Sequence, residues 1–238
     1  MILLAIDTCD AQGSVAVLRD DALLQVAAHD TGEEYSTWLL PAVERVLISA
    51  GLGMADVDGY AVAAGPGSFT GVRVGLTTVK AWSEVYGKRI AAVSRLEAVA
   101  VEADTRVPYV AAFANAQRGQ VFGAVYRRNG TKLERLGEEM VMPPGKFIER
   151  AEELANGGCI SWVSKDVDCF VGEQAWKARE MRHERVAFVS CILAPVIGRF
   201  GWAQLAAGRG TDALLLDANY VRRSDAEIFW KGRAAHEC

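Results

Sequence analysis

Residues 60–86 read YAVAAGPGSFTGVRVGLTTVKAWSEVY. The stretch opens on a short apolar run, 60–64, of the kind a buried strand needs, and breaks at Gly65-Pro66-Gly67. Ser68 and Thr70 then stand where a helix start favours a hydroxyl, and no breaker follows until about Tyr86. Strand, glycine turn and helix in succession are the building unit of an α/β sheet. Amides at such a helix start suit a phosphate or carboxylate. Gly65, Gly67, Ser68, Phe69, Thr70, Gly71 and Arg73 are therefore candidate contacts for an anion or a nucleotide. The plainer reading is a tight turn packed on a neighbouring strand, and for Ser68 and Thr70 the two readings stand side by side. No Gly-Lys-Ser/Thr follows, so this is not a Walker loop.

Upstream, 2–7 is an apolar run and 14–19 alternates loosely; 22–28 follows the link Asp20-Asp21, which suits a hairpin. Tyr35, Trp38, Leu39, Ala42, Val43, Val46, Leu47 and Ala50 recur at helical spacing, and Gly51 is a natural stop. Pro41 either kinks this helix or marks a regular part that starts near Leu40. Downstream, 88–93 reads as a strand and 95–103 as a helix. Three strands followed by helix–strand alternation indicate a mixed sheet with helices on its faces. The pattern then restarts. Strands are expected at 108–114, 120–127 and 132–136, with Asn129-Gly130 as a hairpin turn, and a helix at 146–154. Short strands at 161–163 and 169–172, a helix at 193–207 despite Pro195, and a last strand at 217–222 complete the reading. Two such units suggest a duplicated fold with its boundary at 105–108.

With 238 residues, 51% of them hydrophobic, the chain can bury a sizeable core. A net charge of −4 argues against the chain as a whole attracting nucleic acid. The first ten residues lack a basic segment and a cleavage site, so we expect no signal peptide, and no apolar run nears the ~18 residues of a membrane span. Cys9, Cys159, Cys169, Cys191 and Cys238 are scattered, as reduced thiols of a cytoplasmic protein would be. His29, His183 and His236 form no metal-binding pair, and Asp7 alone at a strand end more often orders the turn that follows.

Both long helices of the first half are apolar on more than one side. In the second of them, Gly75, Val79, Trp82 and Tyr86 form one stripe, and Val74, Thr78, Ala81 and Val85 another. Gly71 and Gly75, four apart, would let a second backbone approach closely. One face can serve the chain's own sheet; the other is a candidate partner surface, with Trp38, Leu40, Val43, Leu47, Val74, Thr78 and Trp82 as its residues. The alternative is a helix sandwiched inside one domain. Lys177, Arg179, Arg182, His183 and Arg185 form a basic run that reads as a solvated helix face rather than an RNA patch. Arg222, Arg223, Lys231 and Arg233, with Phe229 and Trp230 between, read as a tail packed on the first lobe.

These segments together resemble one family. MILLAIDTCD, SVAVL, STWLLPAVERVL, GPGSFTGVRVGLTTVKAW, VSRLEAVA and ANYVRR are similar to the TsaB (YeaZ) family, strongly over residues 1–100 and more weakly beyond, where NAQRGQVFGAVY also aligns. The resemblance implies two tandem actin-like lobes of the sugar-kinase, Hsp70 and ribonuclease H-like kind, mixed sheets flanked by helices. Residues 1–106 would form the partner-binding lobe. Residues 107–238 would form the second, with the C-terminal segment packing back on lobe one.

The resemblance further implies a cytoplasmic, non-catalytic partner in tRNA threonylcarbamoyladenosine formation. It would bind a TsaD-like transferase and a TsaE-like ATPase, would form a homodimer when alone, and would meet tRNA only through the complex. No cofactor would be bound tightly, though ATP or ADP at the complex interface is compatible with half a nucleotide cradle around Asp7, Cys9 and Ser14. Actin-like ATPases carry a second phosphate loop with a carboxylate at the start of lobe two. Here that place reads Phe113 to Gly119 without a carboxylate, and Gly172-Glu173-Gln174 replaces an adenosine-binding glycine pair. Relatives usually open lobe two with Asp-Ala-Arg-x-x-Glu-Val-Tyr. This chain has Asn115, Gln117, Gln120 and Phe122 at the distinctive positions, and Tyr35 where relatives often carry histidine. The competing reading is a stand-alone nucleotide hydrolase or metallopeptidase-like enzyme of the same superfamily. A sugar or acyl kinase is a third, and it fails on the missing lobe-two carboxylate.

Overall fold

Apolar runs and a tight link build the first hairpin. β1 (Ile2–Asp7) pairs antiparallel with β2 (Ser14–Arg19), and β2 with β3 (Ala22–Ala28). The chain then crosses through α1 (Tyr35–Ser49) to β4 (Gly59–Ala63), which lies parallel to β1, and through α2 (Phe69–Tyr86) to β5 (Arg89–Val93), parallel to β4. The sheet order is β3-β2-β1-β4-β5. This computed structural model describes residues 1–103, 106–130 and 132–221.

After α3 (Arg95–Ala100) the same plan recurs. β6 (Tyr109–Asn115), β7 (Val121–Asn129) and β8 (Lys132–Arg135) form an antiparallel meander. α4 (Pro144–Leu154) leads to β10 (Ile160–Ser164), parallel to β6, and α5 (Gln174–Glu180) to β11 (Val186–Phe188), parallel to β10. A short β9 (Met140–Met142) adds to β7. Read from its edge, the second sheet runs β8-β7-β6-β10-β11, the order and strand directions of the first. The fold is therefore α/β, two tandem actin-like lobes with mixed sheets and flanking helices. The halves exchange their last helices: α3 packs on β6, β7 and β10, whereas α6 (Ala194–Ala206) lies across β1, β2, β4 and β5 of the first sheet.

β1 and β4 are buried along nearly their whole length, as strands covered on both faces must be. The first core is mainly aliphatic and continues into the lobe junction, taking in Val110, Ala112, Tyr126 and Val163. The second is aromatic: Phe113, Phe147, Trp162, Phe170 and Trp176 interlock between the second sheet and α4 and α5.

Several expectations are corrected. The segment read as a strand at 169–172 is instead the end of a 3₁₀ turn, Val167–Phe170, followed by a turn at 171–172, and residues 217–221 form no strand. The regular part of α1 does not begin near Leu40: the helix starts at Tyr35 and runs through Pro41. In the basic run, Lys177, Arg182, His183 and Arg185 are exposed, but Arg179 is buried. Its guanidinium donates to Glu184 at 2.8 Å and to Glu152, with the Trp162 ring centroid 5.8 Å away. The C-terminal basic cluster and Thr105 lie outside the described residues. No described helix is long and apolar enough to cross a membrane.

Candidate functional site

Parallel pairing sets the carboxyl ends of β1 and β4 side by side. After β4 the chain turns through Gly65 (φ 111°) into α2, where Ser68 rather than Thr70 is the cap, its Oγ accepting from the Gly71 amide at 3.4 Å. The turn sits directly on the end of β1. The Ser68 amide donates to the Cys9 carbonyl at 2.7 Å, and Thr8 Oγ1 donates to the Gly71 carbonyl at 2.7 Å. A Cβ at Gly67 would stand 2.2 Å from the Cys9 oxygen, and one at Gly71 2.0 Å from the Thr8 oxygen, so neither position admits a side chain. Gly75 also faces Thr8. The small residues thus admit the chain's own β1, not a backbone from outside.

The end of β1 carries a buried charge cluster. Asp7 is fully buried; its Oδ1 accepts from the Cys9 amide at 2.9 Å and its Oδ2 pairs with Arg95 Nε at 3.2 Å. Arg95, the first residue of α3 and 2% exposed, also reaches Asp10 at 3.1 Å. Lys165, at the end of β10, holds Asp10 at 3.0 Å and Asp166 at 2.8 Å, and Asp166 accepts from the Asn115 amide at 2.8 Å. The chain of ion pairs therefore crosses from one lobe to the other. Burial pulls against the Arg95 charge, but Asp7 and Asp10 outweigh it and hold the guanidinium charged. For Asp10, burial is likewise overcome by Arg95 and Lys165, and its carboxyl sits below the ordinary value. Burial, with Asp7 adding to it, pushes the Cys9 thiol well up.

Two candidate contacts are corrected here. Asp7 is closed off from the cleft by Arg95, and it orders the turn after β1 through the Cys9 amide. Ser14 is fully buried and its Oγ accepts the Ala194 amide at 3.0 Å, fixing the start of α6. Tyr35 donates from its hydroxyl to the Asp10 carbonyl at 2.7 Å and stacks on His29 with ring centroids 4.1 Å apart. Among the described residues, no three His, Cys, Asp or Glu side chains cluster as a metal ion would need.

Between the lobes lies a cleft of about 760 Å³. Pro66, Gly67, Ser68, Phe69, Val72 and Arg73 form one wall, the loop from Ala114 to Arg118 the other, and Cys9, Asp10 and Arg95 line it too. Gly65, Thr70 and Gly71 are outside that lining. At its mouth the Arg73 guanidinium lies 3.8 Å from the Phe69 ring centroid, and its Nε donates to the Tyr220 hydroxyl at 3.0 Å.

The residues expected at a partner surface separate into two groups. Trp38, Val43 and Leu47 are buried in the chain's own core and present no outer surface. Leu40 is 56% exposed, and Val74, Thr78 and Trp82 are half-buried. Exposed Ile48, and Val85 of the stripe that carries Val74 and Thr78, stand on the same two helices.

The profile of the TsaD family, described as tRNA N6-adenosine threonylcarbamoyltransferase, matches residues 26–208. The tRNA threonylcarbamoyladenosine biosynthesis protein TsaB of Escherichia coli (strain K12) is 32% identical over 181 residues, 74% of this chain and 74% of its own length. The chain belongs to the TsaB (YeaZ) family. TsaB of Bacillus subtilis (strain 168) is 30% identical over 64% of this chain and 67% of its own length. A solved Pseudomonas aeruginosa structure, described as similar to the peptidase YeaZ, superposes with a TM-score of 0.73 at 25% identity, covering 93% of this chain and 99% of that one.

The family signature led to the glycine turn but not to Arg95 or Lys165, which fill the end of β1. One signal was available: a cation at the first position of a helix opposes the helix dipole, so Arg95 in front of an apolar run required a carboxylate from elsewhere.

Proposed function

We propose that this chain serves tRNA threonylcarbamoyladenosine biosynthesis as a non-catalytic partner subunit. It binds a TsaD-like transferase through the outer face of α1 and α2, a TsaE-like ATPase docks on the pair, and tRNA is met only through the complex. The observation that carries the reading is that outer face. Leu40 and Ile48 on α1 and Val85 on α2 are exposed, with Val74 and Thr78 beside them half-buried, a largely apolar stripe left open among the described residues. Side-by-side helices with such a stripe favour a matching pair from another chain. In isolation the same face would join a second copy, giving a homodimer.

The interlobe ion pairs support the non-catalytic part. A nucleotide phosphate brought to the end of β1 meets the Asp10 carboxylate, and the cations that would offset it, Arg95 and Lys165, are already engaged. The lobe-two hairpin adds no carboxylate, since β6 ends in Asn115. The test is co-purification with the TsaD-like transferase of the same organism. Wild type should form a stable pair and Val74→Arg should not, because an arginine there buries an unpaired charge at a cost of about 3–5 kcal/mol. A Val74→Arg chain that is folded and still pairs normally would move the interface elsewhere.

A further inference from the structure

A second cavity, of about 490 Å³, opens between α3 and the β7–β8 hairpin and shares no lining residue with the interlobe cleft. Ser94, Glu97, Tyr126, Leu133, Arg135 and Glu138 line it. Ser94 and Glu97 have the spacing of a capping box, in which the hydroxyl takes one amide and the carboxylate returns to the other. Only the first half is made: Ser94 Oγ accepts from the Glu97 amide at 3.2 Å. The Glu97 carboxyl is left in the cavity, half-buried. Burial and the neighbouring Glu139 raise its pKa, and Arg135 offsets them only in part. Arg135 is itself shared. It donates to the Gly137 carbonyl at 3.1 Å and reaches Glu138 and Glu139 at 3.5 Å each. Glu139 is also held by Ser94 Oγ and Asn219. The deciding group is Tyr126. It is 2% exposed, and its hydroxyl, placed among Ser94, Glu97 and Glu139, has no hydrogen-bond partner among the described residues. A buried hydroxyl left in that state costs stability until something completes it.

We infer that this cavity takes a small alkyl diamine in its ammonium form, one end on the Tyr126 hydroxyl and the Glu97 carboxylate. An ammonium brings donors and no acceptor, which suits a site where carboxylates outnumber the one guanidinium. Leu133 offers the methylene stem an apolar side. Glu138, its side chain 92% exposed, stands at the rim for the second ammonium. A metal ion suits the cavity less well. Hard divalent cations need several oxygen ligands at once, and among the described residues no three His, Cys, Asp or Glu side chains converge. An anion is repelled, since Glu97, Glu138 and Glu139 face Arg135 alone. The inference goes beyond the proposed partner role and does not depend on it, because binding is read on the chain alone.

The experiment is calorimetric titration of the full chain with putrescine, and separately with tetramethylammonium and Mg²⁺. Salt at about 0.1 M screens loose attraction of cations to a chain of net charge −4. Putrescine should saturate one site below about 1 mM. Tyr126→Phe, which removes only the hydroxyl, should weaken it about tenfold without lowering the urea midpoint, since the lost group had no partner. Glu97→Gln should weaken it at least about tenfold by removing the charged acceptor. Glu149→Gln on the exposed face of α4 should leave binding unchanged. Tetramethylammonium, which carries the charge without N–H donors, and Mg²⁺ should each bind at least about tenfold more weakly. Circular dichroism confirms that each variant is folded. The proposal is overturned by no saturable heat up to about 10 mM putrescine, which would leave the Tyr126 hydroxyl to water. It is equally overturned by unchanged affinity in either cavity variant, or by tetramethylammonium or Mg²⁺ binding as tightly as putrescine.

Discussion

The β1–β2 turn and the β6–β7 turn occupy the same place in their sheets, yet the first follows a buried carboxylate and the second an exposed amide. β1 ends in Asp7, fully buried with its carboxylate on Arg95 and the Cys9 amide. β6 ends in Asn115, an exposed amide whose Oδ1 accepts from Gln117 at 2.7 Å to close the turn. That second turn runs through three residues of positive φ: Gln117 at 59°, Arg118 at 55° and Gly119 at 68°. Duplication supplies the scaffold twice, and the side chains decide what each copy can hold. In one turn the charge is kept but satisfied from within the chain, and in the other it is gone.

The largest expected effect breaks the first turn. Arg95→Met strands the buried Asp7 carboxylate and should cost about 3–5 kcal/mol in urea unfolding, whereas Asn115→Ala should cost about 1 kcal/mol, the value of one turn hydrogen bond. Asp7→Asn combined with Arg95→Met should recover most of that loss, since removing both charges is far cheaper than removing one. A double variant as unstable as the single one would mean that Arg95 acts through packing.

Lys165→Met comes next. It cuts the ion pair between the lobes but leaves Asp10 with Arg95, so about 1 kcal/mol is expected, shrinking in high salt.

The smallest effects are in pH, and two carboxylates on the two sides of the lobe junction should show opposite signs. Folding lowers the Asp10 pKa, so its contribution is full above the ordinary value of about 4 and is lost as pH falls through the folded value. Glu97 on α3 is shifted up, first by burial and then by Glu139 against the pull of Arg135. The folded state therefore holds its proton more tightly, and stability falls as pH rises through the folded value. Asp10→Asn should be less stable than wild type at pH 7 and Glu97→Gln more stable, both differences fading below about pH 4. Urea midpoints at the two pH values decide it, and like signs would contradict the assigned environments.

Local chemistry made much of this legible. Apolar runs and Asp20-Asp21 gave β1 to β3, the period through Ala42 and Val46 gave α1, and Asn129-Gly130 marked the β7–β8 turn. Failures arose where tertiary context overrides a short pattern. Cys169 to Gly172 carries strand-like residues, yet Phe170 is taken by the aromatic core and the chain turns. β9 and β11 have three residues each, too few for a period to show. At the site, Arg95 meets partners 88 and 85 residues away, a separation that no window on the sequence spans. The helical period also gave Trp38, Val43 and Leu47 no outward direction, since which face meets the sheet depends on the strands beneath.

The most direct measurement is tRNA threonylcarbamoyladenosine content in cells depleted of this protein and supplied with wild type, Val74→Arg or the Asp7→Asn/Arg95→Met double variant. A partner subunit that works through its helix face and performs no chemistry at the end of β1 predicts near-normal modification with the double variant and loss with Val74→Arg, each chain being folded. Modification that survives Val74→Arg but fails with a folded double variant would contradict the account and return the end of β1 to a catalytic role.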